Sequence, residues 1–343
     1  MNRLRDVDLS RLNSFGVAAR AREVLVYGSR EDTAPMLDAL AGATSPALVL
    51  GGGSNVVFAG DPAGPVVLVR SRGRRVVEDA GDRVVVEVEA GEDWDSTVRW
   101  SIAQGFYGLE NLVSIPGSVG AAPWQNIGAY GLEIAERIAT VDAIDLVGGH
   151  ARRFTRAECG FGYRDSVFKR GEGAHWLIRS VALALSRRPA VRIDYGDLRA
   201  ELGAAAGTPE AAPGPAAVAD AVAAIRRRKL PDPARLGNAG SFFKNPVLDA
   251  DRADRLRAEH PGLPLYPVAD PALRKASAAW LIESCGWKGA REGAIGVSAQ
   301  HALVLVNHGG GTGREVIALA RRIQESVLER FGVRLEPEPT IVG

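Results

Sequence analysis

The chain has 343 residues, 46% hydrophobic and 24% charged, with a formal net charge of +1. That fits a globular protein of two or three domains and offers no basic excess for nucleic acid. Its longest apolar runs, ALVLG and HALVLVN, fall far short of a membrane span, and MNRLRDVDLS lacks the apolar core of a secretion signal, so the expected address is the cytoplasm.

Residues 1–70 hold short β-branched runs, EVLVY, ALVLGGGSN and PVVLVR, with a helical stretch, EDTAPMLDALAGA, after the first. They predict a small α/β unit. Gly51, Gly52 and Gly53 directly follow a strand, so bare backbone amides there can approach a pyrophosphate; a tight turn explains the same letters. Neither G-x-G-x-x-G nor a P-loop pattern is present.

From Arg72 to about Arg187 strands predominate, in DRVVVEVEAG, RIATVDAIDLVGG and HWLIRSVALALSRR. NLVSIPGSVGAAPWQNIGAYG interrupts them as a long loop without predicted structure. Its glycines admit a large polar ligand to the backbone, Pro116 and Pro123 stiffen it, and Gln125 and Asn126 add amide donors and acceptors. Residues 203–217, rich in Ala, Gly and Pro, read as a surface insertion or linker near a boundary.

VADAVAAIRRRKLPDP follows as a helix that prolines terminate, its RRRK run read as a solvated helix end. Near the C-terminus HALVLVN predicts a strand and GTGREVIALARRIQESVLERFGV a covering helix. There Val316, Leu319, Ala320, Ile323, Val327 and Phe331 recur at helical spacing, and Thr312 with Glu315 has the form of a capping box.

Cys159 and Cys285 have no second thiol at metal or redox spacing, and the histidines form no H-E-x-x-H pattern. No disulfide framework or metal site is expected, and both thiols read as buried.

Read in order, NSFG at 13, GGGSN at 51, IPGSVGAAPWQNIGAYG at 115, YRDSVFK at 163, KLPDP at 229, GNAGSFFKNP at 237 and LEPE at 335 span nearly the whole chain. In these motifs and their order the sequence resembles the UDP-N-acetylenolpyruvoylglucosamine reductase family. The resemblance implies an α+β fold with no Rossmann domain. FAD-binding subdomain 1 would occupy 1–70, with the tail 335–343 near the active site. Subdomain 2 would occupy 71–228 with the 203–217 insertion, and an α/β substrate-binding domain 229–334. The FAD-binding pair would be of the PCMH or vanillyl-alcohol-oxidase kind.

The implied activity is a cytoplasmic, NADPH-dependent step of bacterial peptidoglycan precursor synthesis. The enolpyruvyl ether of UDP-N-acetylglucosamine enolpyruvate is reduced to UDP-N-acetylmuramate by hydride from N5 of reduced FAD. NADPH and the UDP-sugar would use one site in turn, giving a ping-pong cycle. Rival readings are an FAD-dependent alcohol or lactone oxidase of the same fold class and a non-catalytic nucleotide-sugar binder. No nucleic acid, membrane or obligate protein partner is expected.

By the same resemblance, Gly51, Gly52, Gly53, Ser54 and Asn55 face the FAD pyrophosphate. Ser114, Pro116, Gly117, Gly120, Gln125, Asn126, Gly128, Ala129 and Gly131 line its ribityl chain and ring system. Tyr163, Tyr195, Lys229, Asn245, Tyr266 and Gln300 would hold the UDP-sugar, and Tyr266 in LPLYPVAD points to the subtype whose mobile tyrosine loop closes over substrate.

The implied catalytic set is Arg164, Ser241 and Glu338. Hydride addition leaves negative charge spread into the substrate carboxylate; the guanidinium of Arg164 and a protonated Glu338 suit those oxygens. Ser241 would deliver the proton, aided by Lys229 or a water because a serine is a poor acid. In LEPEPTIVG, Pro339 and Thr340 replace the valine and basic residue usual after the glutamate, which keeps Glu336 open as the alternative. Trp124 is bulkier than expected beside the flavin loop. Taken alone, Arg164 reads as a surface partner of Asp165, Ser241 as a turn hydroxyl and Glu338 as a solvated tail residue.

Overall fold

The β-branched runs build the sheets. The structure, a computed structural model, describes residues 1–171, 175–206 and 213–343. Two units emerge: Met1–Val7, Ala21–Gly53 and Pro62–Arg227 form one, and Asp8–Arg20, Ser54–Asp61 and Arg228–Gly343 the other.

In the first unit a four-stranded sheet runs in the order Asn2–Asp8, Arg20–Tyr27, Val66–Val69, Leu48–Leu50. Val66–Val69 is parallel to both of its neighbours. Parallel neighbours need a crossover, and the helix Thr33–Leu40 lies in the connection between Arg20–Tyr27 and Leu48–Leu50. A five-stranded antiparallel sheet follows in the order Ala151–Thr155, Ile138–Asp145, Trp176–Ser186, Arg83–Glu89, Arg74–Ala80. Along Arg83–Glu89 the buried Val84, Val86 and Val88 alternate, which puts one face into a core shared with Trp94, Val98, Val218 and Val222 of two helices, Trp94–Ala103 and Pro215–Lys229.

The segment expected to lack structure is pinned instead. It carries a 3-10 turn at Glu110–Leu112, a short helix at Ala121–Trp124 and a two-residue ladder pairing Gly128–Ala129 with Leu132–Glu133. The buried Leu109, Leu112, Val113, Val119 and Ala122 interleave with the glycines and anchor it in the core. The described ends of 203–217 are helical, continuing Gly196–Ala206 and opening Pro215–Lys229, as alanine favours; residues 207–212 lie outside the described residues.

In the second unit the helix Gly313–Phe331 has the expected capping box between Thr312 and Glu315, and Gly332 ends it at φ 64°. Its apolar stripe is buried, and it packs on an antiparallel sheet of Arg291–Glu292, Ile295–Val297 and Leu305–Asn307. The tail strand Thr340–Val342 lies parallel to Val56–Phe58. Cys159 is buried, which pushes its thiol up to about 12, whereas Cys285 is only half-buried and its Sγ donates to the Ser326 carbonyl. Among the described residues no cluster suits a metal ion, and no helix is long and apolar enough to cross a membrane.

Candidate active site

Two glycine-rich stretches far apart in sequence meet within the first unit. A Cβ on Gly51 would run into Ser118 Oγ, and one on Gly52 would stand 3.0 Å from the Gly117 Cα. Only bare backbone allows that approach. Gly53 turns at φ 64°, and the N–H groups of Gly52 and Gly53 find no acceptor among the described residues. Unspent amides on crowded glycine backbone are a cradle for phosphate oxygens, so these residues fit the diphosphate of FAD. The remaining letters of GGGSN, Ser54 and Asn55, belong to the second unit, where the Asn55 carbonyl accepts from Thr340 N over 3.0 Å.

The long loop is held by its own side chains and by strained backbone. Ser114, Asn126 and Tyr130 have φ of 59°, 47° and 48°, a region costly for residues other than glycine. Such strain collects at ligand clamps. Asp95 holds Ser114 N at 2.6 Å, Gly117 O accepts from Trp94 N, and Gly120 packs against Ala90 too closely for any side chain. Between these anchors Pro116 is exposed and Gln125 half-buried, and Gly131 O accepts from Arg192.

Asn126 spends its amide internally. It donates to Glu133 Oε2 at 2.8 Å and to Gly162 O at 2.9 Å, and accepts from Ala135 N at 3.0 Å. The bond to Gly162 ties the 114–131 loop to the turn that carries Tyr163 and Arg164.

Arg164, at φ 54°, donates to Gly128 O at 2.8 Å, and its guanidinium lies 5.3 Å from the centre of the Tyr163 ring. Asp165 instead pairs with Arg170 at 2.5 Å, so the surface-pair reading of Arg164 does not hold. Ala129 follows Gly128 in the same ladder, and next to it Tyr130 meets the half-exposed Tyr195 edge-on at 5.4 Å. A loop expected at FAD and a tyrosine expected at the sugar nucleotide are therefore neighbours.

The RRRK run holds a correction. Arg227 and Arg228 are exposed, but Arg226 follows the helix's buried stripe, with Ala219 and Val222 seven and four residues earlier. Its Nε donates to Ser114 O at 3.1 Å, while its terminal nitrogens have no hydrogen-bond partner among the described residues. Burial lowers its pKa, Tyr130 and Asp95 oppose the shift, and the charge of Arg164 adds to it. The apolar spacing upstream was the signal in the sequence.

In the second unit GNAGSFFKNP is a rigid loop. Gly237 has no room for a Cβ because the Phe15 carbonyl fills that space. Ser14 Oγ donates to Asn238 O at 2.6 Å, Asn238 N returns a bond to Ser14 O at 3.0 Å, and Asn238 Oδ1 accepts from Gly240 N at 2.9 Å. NSFG is thus the clamp of the serine loop. Phe242 and Phe243 are both 1% exposed and stack edge-on at 5.1 Å, with Phe15 against Phe242. Two buried rings and the turn at Gly240, φ 69°, fix Ser241, whose half-exposed hydroxyl makes no hydrogen bond among the described residues.

The tail packs against this loop. Glu338 N donates to Phe242 O at 2.8 Å, and the half-buried glutamate is followed by the buried Pro339. Glu336 is exposed and faces Lys244 at 3.5 Å. Of the residues expected at the sugar nucleotide, Lys229 ends the helix Pro215–Lys229, and Asn245 Oδ1 accepts from Ala278 N at the start of another. Tyr266 stands exposed on the edge strand Leu265–Pro267, and Gln300 is exposed beside His301. His301 has no counterpart among the expected residues. Burial, then the charges of Lys229 and Lys288, hold its pKa below the ordinary value, and its Nδ1 accepts from Leu303 N.

Comparison with known proteins supplies the context. Residues 232–342 match a family described as UDP-N-acetylenolpyruvoylglucosamine reductase, C-terminal domain, and residues 21–155 match an FAD binding domain. A UDP-N-acetylenolpyruvoylglucosamine reductase of Azoarcus sp. (strain BH72) is 54% identical over 341 residues, covering 98% of this chain and 97% of that protein. The Pseudomonas aeruginosa enzyme of the same name is 52% identical, with 96% of each covered. Among solved structures, the Thermus caldophilus reductase aligns with a TM-score of 0.66 at 26% identity, covering 100% of this chain and 98% of that one.

Proposed function

The chain belongs to the UDP-N-acetylenolpyruvoylglucosamine reductase family, and from that premise we propose that it reduces UDP-N-acetylglucosamine enolpyruvate to UDP-N-acetylmuramate with NADPH, in the cytoplasm, for peptidoglycan precursor synthesis. FAD, held by Gly51–Gly53 and the 114–131 loop, would supply two-electron hydride chemistry between NADPH and the enolpyruvyl double bond. The observation that carries this reading is the glycine cradle of Gly51–Gly53 against Gly117 and Ser118, with a tyrosine pair and an arginine on the same loop system.

Gly51–Gly53 offer amides to the diphosphate, and the 114–131 loop follows the ribityl chain and ring. Arg164 holds the substrate carboxylate with its planar fork, and its anchoring to Gly128 O aims that fork. Glu338, as the acid, donates to the same oxygens; its tie to Phe242 and its half-buried setting support it over the exposed Glu336. Ser241, presented by a clamped loop, gives its proton to the carbon next to the carboxylate and recovers one from water, with Lys229 aiding the transfer.

Subdomains 1–70 and 71–228 serve FAD and 229–334 the sugar nucleotide; Lys229, Asn245 and Gln300 of 229–334 and Tyr195 of 71–228 act on the sugar nucleotide. Tyr266 belongs to a mobile loop that closes over substrate, a role its exposed edge strand supports.

The test is spectroscopic. The purified protein carries one FAD, NADPH bleaches it faster than NADH does, and anaerobic addition of the enolpyruvyl UDP-sugar restores the colour. Rapid reoxidation by oxygen without response to the sugar indicates an alcohol or lactone oxidase; a colourless, folded protein that rejects FAD indicates a nucleotide-sugar binder.

A further inference from the structure

Arg226 is a half-buried cation without a carboxylate. Its Nε is spent on the carbonyl of Ser114, a residue held at φ 59° at the start of the flavin loop. Asp95, the carboxylate whose charge it feels, is engaged by Ser114 N and by Arg99 Nε at 3.0 Å. Arg164, itself hung on backbone carbonyls, is close enough to repel it. Desolvating a guanidinium beside another one costs free energy that one carbonyl bond does not offset. An arrangement of this kind is retained where an anion completes it.

The diphosphate already has its cradle at Gly51–Gly53, and Arg226 is anchored elsewhere, on the loop that carries Gly128 and Tyr130. Resting on the FAD reading above, we propose that Arg226 supplies the positive charge beside the edge of the isoalloxazine ring that becomes anionic when the cofactor accepts two electrons. Uptake of one hydride by the neutral oxidised ring adds one negative charge and needs no further reactant. Arg226 meets that charge with terminal N–H groups already oriented by the Ser114 carbonyl and by a buried helix stripe. It is thereby a positioning residue for electron storage, separate from Arg164 and its substrate carboxylate.

Sulfite adds to oxidised flavins and places the same negative charge on the ring, so its affinity reads this cation without NADPH or UDP-sugar. Arg226→Met in the FAD-loaded protein is expected to weaken sulfite binding by about tenfold or more and to lower the flavin midpoint potential. Arg226→Lys, which keeps the charge, should stay within about threefold of the parent. Parental sulfite affinity and potential in Arg226→Met overturn the proposal. So does an Arg226→Lys variant that falls as far as Arg226→Met, because packing rather than charge then matters. If the methionine variant does not fold, Arg226→Gln is read by the same criteria. A protein that binds FAD and sulfite normally but is not reoxidised by the sugar would overturn the proposed function while leaving this inference standing.

Discussion

Glu338 donates its backbone N–H to the carbonyl of Phe242 over 2.8 Å, which joins the C-terminal tail to the residue that follows Ser241. Asn55 accepts from Thr340 N at 3.0 Å on the other side of Pro339, so the tail is gripped before and after that proline. The departure at Pro339 and Thr340 leaves this presentation intact, since a proline nitrogen has no hydrogen to donate and its neighbours supply the bonds.

Glu338→Gln, which keeps size and removes the acid, is expected to slow reoxidation by the enolpyruvyl sugar by about 10² or more, as for a lost donor to developing charge. Glu336→Gln should change it less than about twofold, because an exposed pair with Lys244 contributes little. Single-turnover kinetics on both variants decides; equal losses would assign the acid elsewhere.

Ser241→Ala should leave FAD binding and bleaching by NADPH nearly intact and slow reoxidation by the UDP-sugar by about 10² to 10⁴. Stopped-flow on the separate half-reactions tests this. Equal loss in both halves would make the hydroxyl structural.

Arg164→Lys retains one charge but not the planar fork, and its ammonium cannot hold the Gly128 carbonyl and a carboxylate in the same geometry. Turnover is expected to fall by about 10². Near-parental turnover would remove Arg164 from the mechanism.

Gly237→Ala tests the clamp on the serine loop. The new Cβ would overlap the Phe15 carbonyl oxygen and come 2.9 Å from its carbon, and backbone there cannot rotate away. A loss of about 1–3 kcal/mol in unfolding free energy is expected, measured by urea titration. An unchanged midpoint would show that the loop yields.

His301 gives a pH dependence of defined sign. Its pKa in the folded unit lies below the ordinary 6.5, so the unfolded chain takes up the proton first as pH falls. Stability from this group is complete above the ordinary value and declines as pH drops toward the folded one. Between about pH 7.5 and 5.5, His301→Gln should lose less stability than the parent. Parallel losses in the two proteins would place the acid sensitivity in other groups.

Much of this protein was legible in its letters because the signals are local. Alternating valines announce Arg83–Glu89, and Thr312 with Glu315 marks a helix start through bonds that span three residues. Ordered motifs singled out the segments that carry Ser241 and Arg164.

What the letters could not decide was pairing across the chain. Nothing in NSFG announces that Ser14 bonds to Asn238, 224 residues away. Nothing near Asn126 in the sequence announces that its side chain bonds to Glu133, Gly162 and Ala135. Arg226, Arg227 and Arg228 are identical in sequence, and only the first follows the buried stripe of its helix. A helix turns its successive side chains to different directions, and burial strips water from a single one of them. Which arginine loses its water, and so acquires a need for an anion, is set by the surface that the helix packs against.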